Sequence, residues 1–506
     1  MDTSPHISRA FVVLAVATVA RLLIASAFPL VPDETYYWEW SRHLSAGYFD
    51  HPPMLAWCIA VGRAILGDTP IGVRLVPVLC GTIAGAAVML AARELFDGRA
   101  MFRVALVFAV LPLSAAGLVL ATPDAPLMAA GAVTVWAMVR ALDARIAPRT
   151  ALAWWCVAGI AAGLGMESKL TGVLIPAFIA LACAIIPSLR RVFRTPGPYT
   201  AIALASLIVA PLLVWNSSHG WITFGYQFVH GLGSPNDTTV VATVSRVASL
   251  AGGQLGLTAI VLGVLLFVAV VRAARGALGP REQMLGVVSA CCLGFFVVSA
   301  LRKPVEANWP AIAYPPAIIL IGALGADGIG RQWLQRGVLI ASVMSLSVYA
   351  YAAGVIPPIP LRGAQDPLDA AYGWRVLADS MSRVARDDAP GASTFLAADR
   401  YQDASELAFA SPGGPFVFSL NLAGRNNQYD LWKRFPDTAR VGDALVAAVD
   451  ESEGPHEAIA KLTSHFASVE RRMLVSLPRA GRTVATRRVW LLKGWRGSWP
   501  RADFQP

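Results

Sequence analysis

Charge is what this sequence has least of. Only 15% of its 506 residues are Asp, Glu, Lys or Arg, against about 25% in an ordinary soluble domain. With 56% hydrophobic residues and a mean hydropathy of +0.56, water cannot solvate the chain, which excludes a soluble globular protein. Cysteine is scarce as well. Cys58, Cys80, Cys156, Cys183, Cys291 and Cys292 all lie in apolar segments and none in the polar tail, so no disulfide framework is implied. The chain lacks a Walker-type phosphate loop, a dinucleotide fingerprint in its expected strand and helix context, and any evident internal repeat. No nucleotide is expected.

What is present is a series of long apolar runs, among them 11–20 extended past Arg21 to Phe28, then 75–92, 104–121, 201–216 and 250–271. Uncharged stretches of about 18 residues or more are candidate membrane spans. The net charge of +10 is not a nucleic-acid signature, because the arginines cluster in every second loop: Arg93/Arg99/Arg103, Arg140/Arg145/Arg149, Arg190/Arg191/Arg194, Arg272/Arg275/Arg281 and Arg331/Arg336. That alternation is the positive-inside pattern, and it places those loops and the N-terminus in the cytoplasm.

The pattern predicts a polytopic α-helical membrane protein with about eleven transmembrane helices, near 10–28, 71–92, 104–121, 125–142, 151–166, 170–187, 199–216, 250–271, 284–301, 309–325 and 338–356. The first run ends in Ala25-Ser26-Ala27 and is read as an uncleaved signal anchor rather than a secretory signal. The external loops are then 29–70, 122–126, 166–169, 217–249 and 301–308. Within the first of them, 54–66 is apolar but too short to span and is expected at the interface. Residues 1–356 form the membrane module. Residues 357–506 regain charge and are expected to fold outside as a soluble α/β domain, with strands at 395–398, 416–420 and 445–449 and a helix at 374–384.

The external segments carry the chemistry. Asp33-Glu34 follow Pro32; one carboxylate can serve as a general base, while residue type alone favours a helix cap. Asp124, between Pro123 and Pro126, also suits a cap. Asp50-His51 precede paired prolines that rigidify the turn; they are weak candidates for a divalent metal, being only two ligands. Lys169, beside Glu167, and Arg302 and Lys303, with Glu306 and Asn308, sit on the side the positive-inside rule depletes of cations. Lys and Arg there often snorkel, but a lipid phosphate at this depth needs such donors. His219 and His230, near Trp221, Tyr226 and Phe228, read as ordinary loop residues.

The segment PDETYYWEWSRHLSAGYFDHPP at 32–53 resembles the first external loop of the GT-C glycosyltransferases that use polyprenyl-phosphate sugars, a superfamily that includes protein O-mannosyltransferases and lipid A aminoarabinose transferases. The resemblance continues through TPDAP at 122–126, GLGMESKLTG at 163–172, RKPVEANWPAIAYPP at 302–316, ADRYQDASELAFA at 398–410 and RNNQYDLW at 425–432. YFDHPP makes the chain most similar to the galacturonosyltransferases of the Rgt-like group.

The resemblance implies a membrane glycosyltransferase moving a sugar from a polyprenyl-phosphate donor to a lipid A or core, other glycolipid, or protein hydroxyl, with inversion. It implies Asp33, with Glu34 beside it, and Asp124 as catalytic, and Lys169, Lys303 and Arg302 at the lipid phosphate. Tyr37, Asp50, His51, Glu306 and Asn308 join them as substrate-binding candidates. The aminoarabinose transferases have an acidic residue followed by Lys before the paired prolines, where this chain has Asp50-His51. Location in a bacterial inner membrane, with the active face and tail in the periplasm, comes from the resemblance too. A transporter or flippase of lipid-linked saccharides is the rival reading; it would place ionisable groups near the bilayer midplane. The tail is expected to select the acceptor, so deleting 357–506 should abolish transfer to the native acceptor in isolated membranes.

Overall fold

The computed structural model describes residues 4–233, 239–324, 328–357, 366–388, 393–422, 424–450 and 457–500. Residues 234–238 of the expected loop 217–249, and residue 325 at the end of an expected helix, lie outside them. The chain divides into two compact units. One comprises Met1–Ala27 and Leu44–Ala353; the other comprises Phe28–His43 and Gly354–Pro506. The expected external loop 29–70 is thus shared between them.

The first unit is helical. Helix α1 spans Ser4–Ala27, α3 Met54–Leu66, α4 Pro70–Leu95 and α5 Gly98–Val110, while α2, Pro32–Arg42, belongs to the second unit. Beyond a single-turn α6 at Pro112–Ala115 come α7 Asp124–Ala141, α8 Pro148–Ser168, α9 Leu174–Ile185 and α10 Gly197–Ser218. They are followed by α11 Ile222–Leu232, α12 Val240–Leu257, α13 Val261–Ala274, α14 Pro280–Ala300, α15 Tyr314–Leu320 and α16 Gly328–Ala352.

Among the described residues, six helices are long and apolar enough to cross a membrane: Pro5–Ala27, Pro70–Leu95, Pro148–Ser168, Gly197–Ser218, Val240–Leu257 and Pro280–Ala300. At about 1.5 Å per residue a 21-residue helix is about 32 Å long, enough for a hydrocarbon core of about 30 Å. Helix α1 shows which solvent it expects. Ala10, Leu14, Arg21 and Ala25 form its buried stripe, while Val12, Val16, Val19 and Leu23 on other faces are 55–65% exposed. An apolar stripe of that kind is stable against lipid, not water.

Two expected spans are interrupted. The 104–121 run stops at Val110, because Pro112 has no amide hydrogen to continue the ladder and opens α6 instead. The 250–271 run is broken where Ala259 and Ile260 adopt φ of 53° and 39°, so α12 and α13 are separate helices. The apolar segment also begins earlier, at Val240, inside what the sequence marked as a loop.

Small residues set helix spacing. Gly159 and Gly163, one turn apart on α8, face α10: a Cβ at Gly159 would lie 2.5 Å from the Ala201 carbonyl oxygen, and one at Gly163 2.9 Å from Ile208 Cβ. Close backbone approach of this kind gives helices in lipid their packing energy.

The second unit carries a five-stranded sheet. Strands β1 (Thr394–Ala398), β2 (Val417–Ser419), β3 (Ala444–Val449), β4 (Phe466–Arg479) and β5 (Arg482–Trp495) are ordered β2-β1-β3-β5-β4. β1 runs parallel to β2 and β3; β5 is antiparallel to β3 and β4. All of β3 is buried, as a central strand covered on both faces should be. Helix α17, Trp374–Asp388, buries Trp374, Leu377, Ala378, Met381 and Val384, a helical stripe; α18 spans Tyr401–Ala410.

Gly159→Val should force α8 and α10 apart and cost about 1–3 kcal/mol, read as a lower thermal midpoint in detergent. Gly252→Ala on α12, where an added Cβ meets nothing within 4 Å, should leave that midpoint unchanged or raise it.

Candidate active site

In the second unit, Pro32 opens α2 and fixes its first φ, leaving Val31 as an N-cap without a side-chain acceptor. Glu34 supplies what Val31 lacks: its Oε2 accepts the Val31 amide at 3.1 Å, and the residue is fully buried. Asp33 is exposed. The two adjacent carboxylates therefore differ in burial, Glu34 capping α2 from inside and Asp33 lying at the surface.

The rest of α2 is an aromatic wall. Tyr36, Tyr37, Trp38 and Trp40 are all buried. Tyr37, a predicted substrate contact, packs edge-on against Trp40 with centroids 5.0 Å apart. Arg42 lies over the Trp38 ring, pairs with Glu39 at 2.9 Å and donates to the Gly414 carbonyl at 2.6 Å. Burial, and then the Glu39 carboxylate, raises the Tyr429 phenol well above its ordinary value, so it stays neutral.

In the first unit, three segments that are far apart in sequence meet at one carboxylate. Asp124 is the first residue of α7 and is buried. Lys169 Nζ donates to its Oδ1 at 2.8 Å, and Asn308 Nδ2 donates to its Oδ2 at 2.6 Å. Lys169 reaches it because the chain leaves α8 there in an extended conformation, φ −158° and ψ 141°. The ammonium and carboxylate are both nearly enclosed, with side chains 8% and 9% exposed.

The other predicted residues fall in two further places of that unit. Arg302 is exposed and makes a long 3.4 Å contact to the Leu232 carbonyl; Lys303 is half-buried and Glu306 exposed. Arg246 was missed in the sequence. Its guanidinium donates to the carbonyls of Ala300 and Leu301, both at 3.2 Å, and so braces the same turn. An arginine on the face the positive-inside rule depletes was the available signal. Asp50 is buried and His51 half-buried; Gln227 of α11 donates to the Asp50 carbonyl at 2.5 Å and lies 3.3 Å from His51 Nδ1. Glu167 is buried with neither carboxylate oxygen hydrogen-bonded among the described residues.

Among the described residues no group of three or more His, Cys, Asp or Glu is gathered as metal ligands. Asp50 and His51 offer two donors, fewer than the three protein ligands of a catalytic zinc site.

Residues 50–215 match the dolichyl-phosphate-mannose-protein mannosyltransferase family. The chain is 26% identical over 289 residues to lipid A galacturonosyltransferase RgtD of Rhizobium johnstonii, covering 57% of this chain and 59% of that protein. It is 31% identical over 194 residues to an undecaprenyl phosphate-alpha-4-amino-4-deoxy-L-arabinose arabinosyl transferase of Pseudomonas aeruginosa, 35% of each chain. These alignments thus span less than two thirds of either relative. Among solved structures, ArnT from Cupriavidus metallidurans superposes with a TM-score of 0.66 in its apo state and 0.65 bound to undecaprenyl phosphate. In both, identity is 16%, over 95% of this chain and 97% of that one, a likeness of fold.

Lys169→Met should leave Asp124 a buried charge with only Asn308 and cost about 3–5 kcal/mol, measured by thermal unfolding in detergent. Adding Asp124→Asn should restore much of that loss.

Proposed function

We propose that this chain, which shares the fold of ArnT and resembles polyprenyl-phosphate-dependent GT-C enzymes in sequence, is an integral-membrane glycosyltransferase moving a sugar from a polyprenyl-phosphate donor to an acceptor hydroxyl. The acceptor is lipid A or its core, another glycolipid, or a protein, on the periplasmic face of a bacterial inner membrane. Residues 1–356 form the membrane module, crossing about eleven times, with several crossings made by short or broken helices. Residues 357–506 are periplasmic. RgtD is a lipid A transferase by name, which makes lipid A the first acceptor to test.

The observation that carries this reading is the division of labour at 33–34. Glu34 is consumed in capping α2, while Asp33 remains exposed on the same helix end. Asp33 takes the proton from the acceptor hydroxyl. The freed oxygen attacks the anomeric carbon, and the bond from that carbon to the phosphate oxygen breaks with its electron pair leaving on the phosphate. Direct displacement inverts the anomeric centre. Arg302 and Lys303 balance the charge growing on the leaving phosphate, an electrostatic term often among the largest in catalysis. Lys169 is committed to Asp124, so its part is to hold that carboxylate, with Asn308, rather than to meet the phosphate as a free ammonium. Tyr37, Asp50, His51 and Glu306 remain substrate-contact candidates, with Gln227 holding the backbone of the Asp50-His51 turn.

Asp33→Asn, compared with wild type in membranes at matched expression with radiolabelled undecaprenyl-phosphate sugars, should lower transfer by about 10²–10⁴-fold while donor still binds. Glu34→Gln should act mainly on stability. Equal transfer by Asp33→Asn and wild type removes Asp33 as the base. No transfer by the wild type with any donor reopens the transporter reading.

A further inference from the structure

Two tail motifs, ADRYQDASELAFA at 398–410 and RNNQYDLW at 425–432, have no role in the chemistry above. The structure gives both the same neighbour, helix α2. From the first, α18 packs against α2. Tyr401 lies 4.4 Å from the Tyr36 ring, Phe409 meets Trp38 edge-on at 5.1 Å, and the hydroxyls of Ser405 and Thr35 are 3.1 Å apart. From the second, the Gln428 amide donates to the Tyr36 hydroxyl at 2.7 Å, and the Tyr429 ring stacks on Tyr36 at 6.2 Å.

These contacts are anchored in turn. Arg487 of β5 pairs with Asp403 of α18 at 2.7 Å and with Asp450, just past β3, at 3.2 Å, which fixes α18 to the sheet. Gln428 opens a single helical turn capped by Asn427, whose Oδ1 accepts the Tyr429 amide at 3.0 Å. Polar contacts thus fix α18 to the sheet, and α18 and the Gln428 turn each hold α2, the latter at the Tyr36 hydroxyl. Tyr36 is three residues after Asp33, hence on the same helix face, and is 2% exposed.

We propose that Tyr36 is a positioning residue for the base: through the Gln428 amide and α18, the C-terminal domain sets where the Asp33 carboxylate stands. This rests on the reading of Asp33 as the base. The domain's first service is then to the chemical step, whichever acceptor is used. Deleting 357–506 strips α2 of its packing as well as removing any acceptor-selecting surface, so point variants must separate the two roles.

Tyr36→Phe keeps the ring between Tyr401 and Tyr429 and removes only the acceptor oxygen. With radiolabelled undecaprenyl-phosphate sugars as donors and lipid A as acceptor, it should lower kcat by about ten- to a hundredfold, with KM for the donor unchanged. In an Asp33→Asn background it should have no further effect, because the two act on one step. Phe435→Leu, in the apolar core of the same domain, should lower the thermal midpoint yet keep wild-type kcat at a permissive temperature. An unchanged kcat in Tyr36→Phe, or an equal loss in both backgrounds, overturns the proposal while leaving the transferase standing. An active Asp33→Asn, or a wild type inactive with every donor, overturns the reading beneath it.

Discussion

A carboxylate enclosed at the start of an apolar helix is costly to keep charged unless donors reach its oxygens. Asp124 meets that condition through Lys169 and Asn308, and the condition constrains the membrane unit. The C-terminal end of α8 and the turn before Trp309 must both be held against the first residue of α7. The local packing conforms. Gly172 comes so close to the Gly165 carbonyl that a Cβ would stand 2.3 Å from it, which closes the hairpin carrying Lys169. Two turns into α7, Gly131 makes room for Ile312 and Ile175, whose Cδ1 atoms would be 2.7 and 2.9 Å from an added Cβ. The polar contact and the close packing specify the same arrangement of the same segments.

The C-terminal unit follows a different logic. Its sheet is apolar through the centre, with Phe395, Phe418, Phe435 and Phe466 in ring contact, while the helix it captures from the start of the chain is aromatic and polar at once. Buried tyrosines and tryptophans provide area, and their few polar atoms provide direction. Tyr36 shows both: its ring packs among other rings and its hydroxyl accepts one backbone amide. A helix held this way has little freedom to rotate, which suits an element with an exposed carboxylate at its tip.

Much of this was legible beforehand. The apolar helices, the strands expected at 395–398 and 445–449, and a short apolar segment at 54–66 (here a helix) all appear where hydropathy put them. The long β4–β5 hairpin was not. Arg471, Arg472, Arg487 and Arg488 break its alternation, and a register shift between Arg471 and Leu474 moves side chains from one face to the other. The break at Ala259–Ile260 carried no Pro or Gly to announce it.

The same division holds at the candidate site. Residue type and position singled out Asp33, Asp124, Lys169, Arg302 and Lys303 as candidates, because charge is so scarce in an apolar chain that each surviving charged group outside the arginine-rich loops stands out, while their expected roles came from the resemblance. What each of them does was decided only by folding. Sequence could not tell Glu34 from Asp33, since both suit a cap and both suit a base; the amide of Val31 chose Glu34. Nor could it foresee that Lys169 is spent on Asp124, or that Tyr36 leads to Gln428 nearly four hundred residues away. Hydropathy and charge are properties of single residues and survive in the linear chain. A hydrogen-bond partner is a property of two positions brought together, and only the tertiary structure supplies the second.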